Sequence, residues 1–233
     1  MITQIYGIKN LDDALMCAEL GADHIGVAIG QLKHQGPQQK DCAQAKYIFD
    51  RLPSNVVKVG LTIASDVDEI IHDLSLCLPD VYHLSGDIRD ISPEGVQRIR
   101  DAYPGLKIMQ ALPVYSGVPY EEQWPTILDL IRKYESTTDF VLIDTKDPKS
   151  TIGIGATGAV HDRNIDRAIV EATKVPCIVA GGLDASNVAE VIHITHPYGV
   201  DSCTRTNVDK SDAIGNGKDR AKVKAFIEAA RNA

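Results

Sequence analysis

The residues of this chain that can do chemistry gather where short apolar runs end. Tyr6 and Lys9 follow the first run, Ser85 and Asp87 the fourth, Asp144 and Lys146 the sixth, and Asp201, Cys203, Thr204 and Arg205 the last. Carboxylates, a histidine and a phenol at such places are candidates for general acid–base work. Nearby lysines and arginines suit a phosphate or a developing oxyanion. Ala180-Gly181-Gly182-Leu183 adds a glycine pair that lets the backbone approach an anion closely. The stretch Thr145–Asp162 is long for a connection and carries Thr157, Gly158 and then His161-Asp162 before a helical pattern. Plainer roles stand beside these: a helix N-cap for Asp162, a packed ring for His161, a tight turn for Gly181-Gly182. His72, His193 and His196 fall on or beside helices, away from the ends of the runs, and read as surface residues.

The elements that must hold these groups alternate to the end of the chain. Apolar runs predict strands at Ile2–Gly7, His24–Ile29, Val56–Ile63, Val81–Leu84, Leu106–Leu112, Phe140–Asp144, Cys177–Ala180 and Tyr198–Asp201. Helical spacing predicts helices at Leu11–Leu20, Asp41–Leu52, Asp66–Cys77, Pro93–Tyr103, Tyr120–Glu135, Arg163–Thr173, Ser186–Thr195 and Lys218–Arg231, with Pro125 expected to kink the fifth or delay its start. Runs such as Val-Val-Lys-Val-Gly-Leu-Thr-Ile suit parallel strands buried on both faces. Eight β/α units with no break in composition favour a single-domain (β/α)8 TIM barrel over residues 1–233. The first βα turn lacks GxGxxG, which disfavours a dinucleotide fold. In such a barrel the loops after the strands carry the active site, and those after strands seven and eight often hold phosphate.

Composition narrows the classes. The 24 lysines and arginines against 32 aspartates and glutamates leave a net charge of −8, which argues against nucleic acid as a partner. No apolar run approaches the roughly 20 residues that span a bilayer, and no signal peptide is visible. Cys17, Cys42, Cys77, Cys177 and Cys203 are scattered without a CxxC, so neither a disulfide framework nor a zinc site is expected, and a cytoplasmic setting fits.

Taken together these pieces resemble the phosphoribosylanthranilate isomerase family. The resemblance rests on Ile5-Tyr6-Gly7-Ile8-Lys9-Asn10, Gly21-Ala22-Asp23, Val57-Lys58-Val59-Gly60-Leu61, Ser85-Gly86-Asp87, Gly155-Ala156-Thr157-Gly158 with His161-Asp162, Ala180-Gly181-Gly182-Leu183 with Asn187-Val188, Tyr198-Gly199-Val200-Asp201, and Gly217-Lys218-Asp219. It implies a barrel that opens an aminoaldose ring and carries out an Amadori rearrangement, using a cysteine base and an aspartate acid and no metal. By position it makes Asp162 the acid, with Gly181, Gly182 and the Cys203–Thr204 loop holding phosphate. The chain departs from the family pattern at several points. Tyr6 stands at the place of the base cysteine, and a tyrosine with its ordinary pKa of about 10 is a poor base at neutral pH. The family's Gln-Leu-His becomes His83-Leu84-Ser85, and its Ser-Ser-Gly phosphate turn becomes Cys203-Thr204-Arg205. The arginine expected for the anthranilate carboxylate falls near Gln38, in a loop that keeps Lys33.

These departures point to an aldose–ketose isomerase acting on another phosphorylated sugar or aminosugar. Asp162 is the expected acid and Asp144, Asp87 or His161 the base, while Lys58 and Arg205 neutralise charge and Thr157, Gly158, Ser85 and Asp87 help bind substrate. No cofactor and no metal are expected. The partner is a phosphorylated small molecule, without nucleic acid or membrane, on a monomer or homodimer. The alternatives are a lyase using Lys58 or Lys146 as a Schiff-base amine, a metal-dependent variant with Asp87, Asp144, His161 and Asp201 converging, and a non-catalytic phosphate-ligand-binding barrel.

Overall fold

Eight parallel strands close on themselves in the order β1-β2-β3-β4-β5-β6-β7-β8, so no strand edge is left open. This is a computed structural model, described for residues 1–30, 40–146, 161–208 and 217–233. The strands are β1 (Ile2–Ile5), β2 (His24–Ala28), β3 (Val57–Thr62), β4 (Val81–Leu84), β5 (Lys107–Tyr115), β6 (Phe140–Lys146), β7 (Cys177–Val179) and β8 (Gly199–Ser202). The helices are α1 (Leu11–Glu19), α2 (Cys42–Phe49), α3 (Val67–Leu76), α4 (Pro93–Ala102), α5 (Tyr120–Tyr134), α6 (Arg163–Ala172), α7 (Val188–Thr195) and α8 (Arg220–Arg231). The expected (β/α)8 TIM barrel is the observed one. Among the described residues no helix is long and apolar enough to cross a membrane.

Local chemistry sets the helix starts. The side chains of Asn10, Asp41, Asp66, Ser92, Asp162 and Asp219 each accept an amide N–H from the first turn they precede. Ser92 is followed by Pro93, whose fixed φ suits the first helical position. Three expectations are corrected. Helix α5 runs through Pro125 without a delayed start, from Pro119 at its N-cap. Strands β5 and β6 pair two residues beyond Asp144, to Tyr115 and Lys146, because their shared register continues through Pro113↔Asp144. Helix α8 starts at Arg220, leaving Lys218 in the preceding loop.

Two apolar layers follow from strand alternation. Val59, Val81, Met109, Leu142 and Ile178 fill the barrel axis. The opposite strand faces pack on the helices, with Ile25, Tyr82, Ile108 and Phe226 among the fully buried side chains.

Candidate active site

The period of two along a strand decides which groups face the axis. Val81 and Leu142 point inward, so His83 of β4 and Asp144 of β6, two residues on, do so at the carboxyl end. Cys203 packs on the same axial layer, and Asp201, two residues before it, reaches Gln4 of β1 across the interior. Tyr6 enters from the end of β1. Its hydroxyl lies 2.7 Å from His83 Nδ1 and 3.9 Å from Met109 Sδ. Gly26 of β2 makes room for the ring, since a Cβ there would sit 1.9 Å from Tyr6 Cδ1.

Burial separates the protonation behaviour of these groups. Loss of solvent, reinforced by the charge of Asp201, pushes the Tyr6 phenol well above its ordinary value. The same desolvation lowers the His83 imidazole to about 3, so phenol and ring form a neutral pair. His83 Nε2 has no hydrogen-bond partner among the described residues. Asp144 is pushed up to about 6 by desolvation, against the Thr145 N–H that donates to it at 2.7 Å and the charges of His161 and Arg163. Burial and then the charge of Asp144 hold Asp201 well above the usual carboxylate range, although Gln4 Nε2 donates to it at 3.2 Å. Burial pushes the Cys203 thiol up to about 11. These two carboxyls, at the ends of β6 and β8 on either side of β7, are both held toward their protonated forms and can serve as an acid–base set.

The loop after β7 is shaped for an anion. Gly181 and Gly182 both have left-handed backbones, with φ of 83° and 69°. Four successive carbonyls are occupied from outside the mouth. Arg163 donates to Ala180 O at 3.0 Å and Gly181 O at 2.6 Å, Asn187 Nδ2 to Gly182 O at 3.0 Å, and Ser202 Oγ to Leu183 O at 2.7 Å. The amide N–H groups of Gly181, Gly182 and Thr204 have no acceptor among the described residues. Arg205, held by Asp184 at 3.3 Å, adds a cation beside them. Beneath the turn after β8, the buried Lys218 ammonium donates to Cys203 O, Thr206 Oγ1 and Asn207 Oδ1 at 2.8, 3.2 and 2.7 Å.

The family model for N-(5'-phosphoribosyl)anthranilate (PRA) isomerase matches residues 4–229. The chain belongs to the phosphoribosylanthranilate isomerase family. It is 31% identical to "N-(5'-phosphoribosyl)anthranilate isomerase 2" of Methanosarcina mazei, over 100% of this chain and 95% of the relative. It is also 31% identical to the isomerase of Methanocella arvoryzae, over 98% and 97%. Among solved structures, that of the N-(5'-phosphoribosyl)anthranilate isomerase of Pyrococcus furiosus superposes with a TM-score of 0.79 at 24% identity, covering both chains completely. The last comparison speaks for the fold.

Within this phosphoribosylanthranilate isomerase scaffold, the two departures at Tyr6 and His83 are hydrogen-bonded to each other. They form one exchanged unit that fills the axis where the resemblance puts a cysteine. Ser85, buried at the end of β4, keeps the inward parity of His83.

Several residues expected to act in the site are engaged in other contacts. Asp162 is exposed, and its carboxylate caps α6, accepting from Asn164 N and Nδ2 at 2.9 Å each. Its carboxylate is thus engaged with the first turn of α6 and, unlike Asp144 and Asp201, is open to solvent. His161 is buried with both ring nitrogens bound, Nδ1 to Thr145 Oγ1 at 2.7 Å and Nε2 to Asp166 at 2.5 Å, so it is no free base. Lys58 alternates with the axial Val57 and Val59, so it faces away from the axis near the start of β3 and is no phosphate ligand or Schiff-base amine there. Asp87 is gripped by Arg89 and lies 3.5 Å from Lys146, and the Arg89 guanidinium holds its carboxyl well below the usual range, which suits charge balance rather than proton abstraction. With His161 and Asp87 so engaged, no set of three metal-ligating side chains comes together among the described residues. Thr157, Gly158, Lys33 and Gln38 lie outside the described residues.

Sequence reasoning missed Arg163, Asp166 and Lys218. Each sits in a helical or loop pattern where a charged residue ordinarily faces water. For Arg163 and Asp166 the one signal is position, immediately after the sixth loop, whereas Lys218 stands in Gly217-Lys218-Asp219, a motif of the family resemblance that carried no role.

Proposed function

We propose that this protein is an intramolecular aldose–ketose isomerase of a phosphorylated aminosugar, with a nitrogen substituent other than anthranilate. The observation that carries the reading is the joint placement, at the ends of β6, β7 and β8 on one barrel mouth, of Asp144, Asp201 and the Gly181, Gly182 and Thr204 N–H groups, which have no acceptor among the described residues. Phosphate binds the amides and Arg205. Asp201, whose burial favours its protonated form, gives its proton to the ring oxygen as the C1–O bond breaks and the nitrogen lone pair forms the C1=N bond. Asp144, largely ionised at neutral pH, takes the proton from C2, and the electron pair moves into a C1–C2 enamine. Asp144 returns its proton to C1 while the C2 hydroxyl gives up its own proton to Asp201, which leaves the C2 carbonyl of the ketose and restores both carboxyls. No step here calls for a cofactor or a metal ion.

The changed substituent is supported by the Tyr6–His83 unit, which occupies the axis with a ring where the resemblance has a small thiol. A second reading, phosphoribosylanthranilate itself, is favoured by the names of the relatives. The test is a turnover assay with phosphoribosylanthranilate beside other N-substituted phosphoribosylamines and simple pentose and hexose phosphates. Faster conversion of an analogue with a different substituent supports the first reading. Conversion of phosphoribosylanthranilate alone establishes the second, and conversion of none by folded protein removes the isomerase. The five free cysteines suit a reducing, cytoplasmic site for this chemistry.

A further inference from the structure

Behind the mouth lies a buried polar chain that the mechanism does not use. It starts at Thr145, next to Asp144, passes through His161 to Asp166, and continues from Asp166 to Arg163 at 2.9 Å. Arg163 then reaches the carbonyls of Ala180 and Gly181. Thr145 and Asp166 are fully buried, and the Arg163 side chain is 11% exposed. Gly181 rests directly on this chain, since a Cβ there would meet Thr145 Oγ1 at 2.5 Å and His161 Cε1 at 3.2 Å.

We infer that Arg163, held by Asp166 and His161, is a positioning residue for phosphate binding, fixing the Gly181-Gly182 turn with its amides toward the mouth. The physical reason is the geometry of the guanidinium. Its planar fork binds two successive carbonyls with two nitrogens and still meets a carboxylate. Turning two adjacent carbonyls to one side constrains the intervening peptide plane, and with it the Gly182 N–H. The carboxylate is needed because a buried guanidinium without a counter-charge is strongly disfavoured. Asp166 can only accept, so the His161 Nε2 carries a hydrogen and Nδ1 is left to meet the Thr145 hydroxyl. The chain therefore ties the phosphate turn of β7 to the strand that carries Asp144. Phosphate and proton-transfer groups are held in one frame.

This inference rests on the phosphate-site reading above, and inorganic phosphate serves as the probe. Binding to the full chain is measured by titration calorimetry for wild type, Arg163→Lys, and the paired variant Arg163→Met/Asp166→Asn, which removes both charges together so that neither is orphaned. The expected result is phosphate binding by wild type, at least tenfold weaker binding by the paired variant with its circular dichroism retained, and partial recovery in Arg163→Lys. With an active substrate, the loss should appear in KM more than in kcat. Folded paired variant binding phosphate within twofold of wild type would overturn the inference and leave the isomerase reading standing. Wild type that fails to bind millimolar phosphate would overturn both.

Discussion

At the scale of single residues, the catalytic assignments separate by pH. Asp144, raised to about 6, accepts the carbon proton only when ionised, so kcat should fall as pH drops through about 6. The measurement is a pH–rate profile, and a limb falling the other way, as pH rises through 6, would make Asp144 the acid. Replacing Asp144 with asparagine should lower kcat by about 10²–10⁴-fold. The same change should raise the melting temperature at pH 7. A carboxyl whose folded pKa is raised adds stability below its unfolded value of about 4, and that contribution is lost as pH rises through about 6. The stability difference between Asp144→Asn and wild type should therefore vanish near pH 4 in thermal melts. Asp162→Asn, by contrast, should leave kcat within about threefold, because asparagine also caps a helix well. A collapse of kcat in Asp162→Asn would return the acid to the helix cap. The sequence pattern located both aspartates, but their roles turn on which one is buried. Resemblance by local spacing pointed to Asp162, whereas strand parity from Leu142 points to Asp144.

At the scale of elements, the phosphate turn works through what surrounds it. Gly181→Ala adds a Cβ in a left-handed backbone and drives it onto Thr145 Oγ1. We expect a loss of at least about 1 kcal/mol in denaturant unfolding and a greater relative loss in phosphate affinity. Retained phosphate affinity would mean that the turn does not need its left-handed form. The alternation of apolar runs and helical spacing showed all eight units, because buried parallel strands and amphipathic helices leave different periods in the chain. It did not show the continuation of β6 to Lys146, since Thr145 and Lys146 lack apolar character and only pairing with β5 keeps them extended. Nor did it show the buried Arg163–Asp166 pair, because a 3-residue spacing of opposite charges on a helix reads as a solvated ion pair.

At the scale of the whole molecule, closure of the barrel brings the chain's two ends together. β1 pairs with β8, and Lys218 N donates to Asp13 Oδ2 at the start of α1 while its ammonium holds the turn after β8. Lys218→Met should cost about 1–3 kcal/mol in unfolding free energy, because Cys203 O and Asn207 Oδ1 lose a buried donor. An unchanged denaturation midpoint would show that water replaces the ammonium at no cost.

The fit of the Tyr6 ring over Gly26 also bears on how such a barrel changes its chemistry. With any side chain at position 26 the phenol has no room, and with a small residue at position 6 an axial void of aromatic size opens. A double-mutant cycle between Tyr6→Cys and Gly26→Ala should show strong coupling, with Gly26→Ala markedly less harmful once the ring is gone. The two positions thus constrain the order in which they can change. Glycine at position 26 must therefore be in place before any ring enters at position 6, and position 26 can be filled only after the ring has gone.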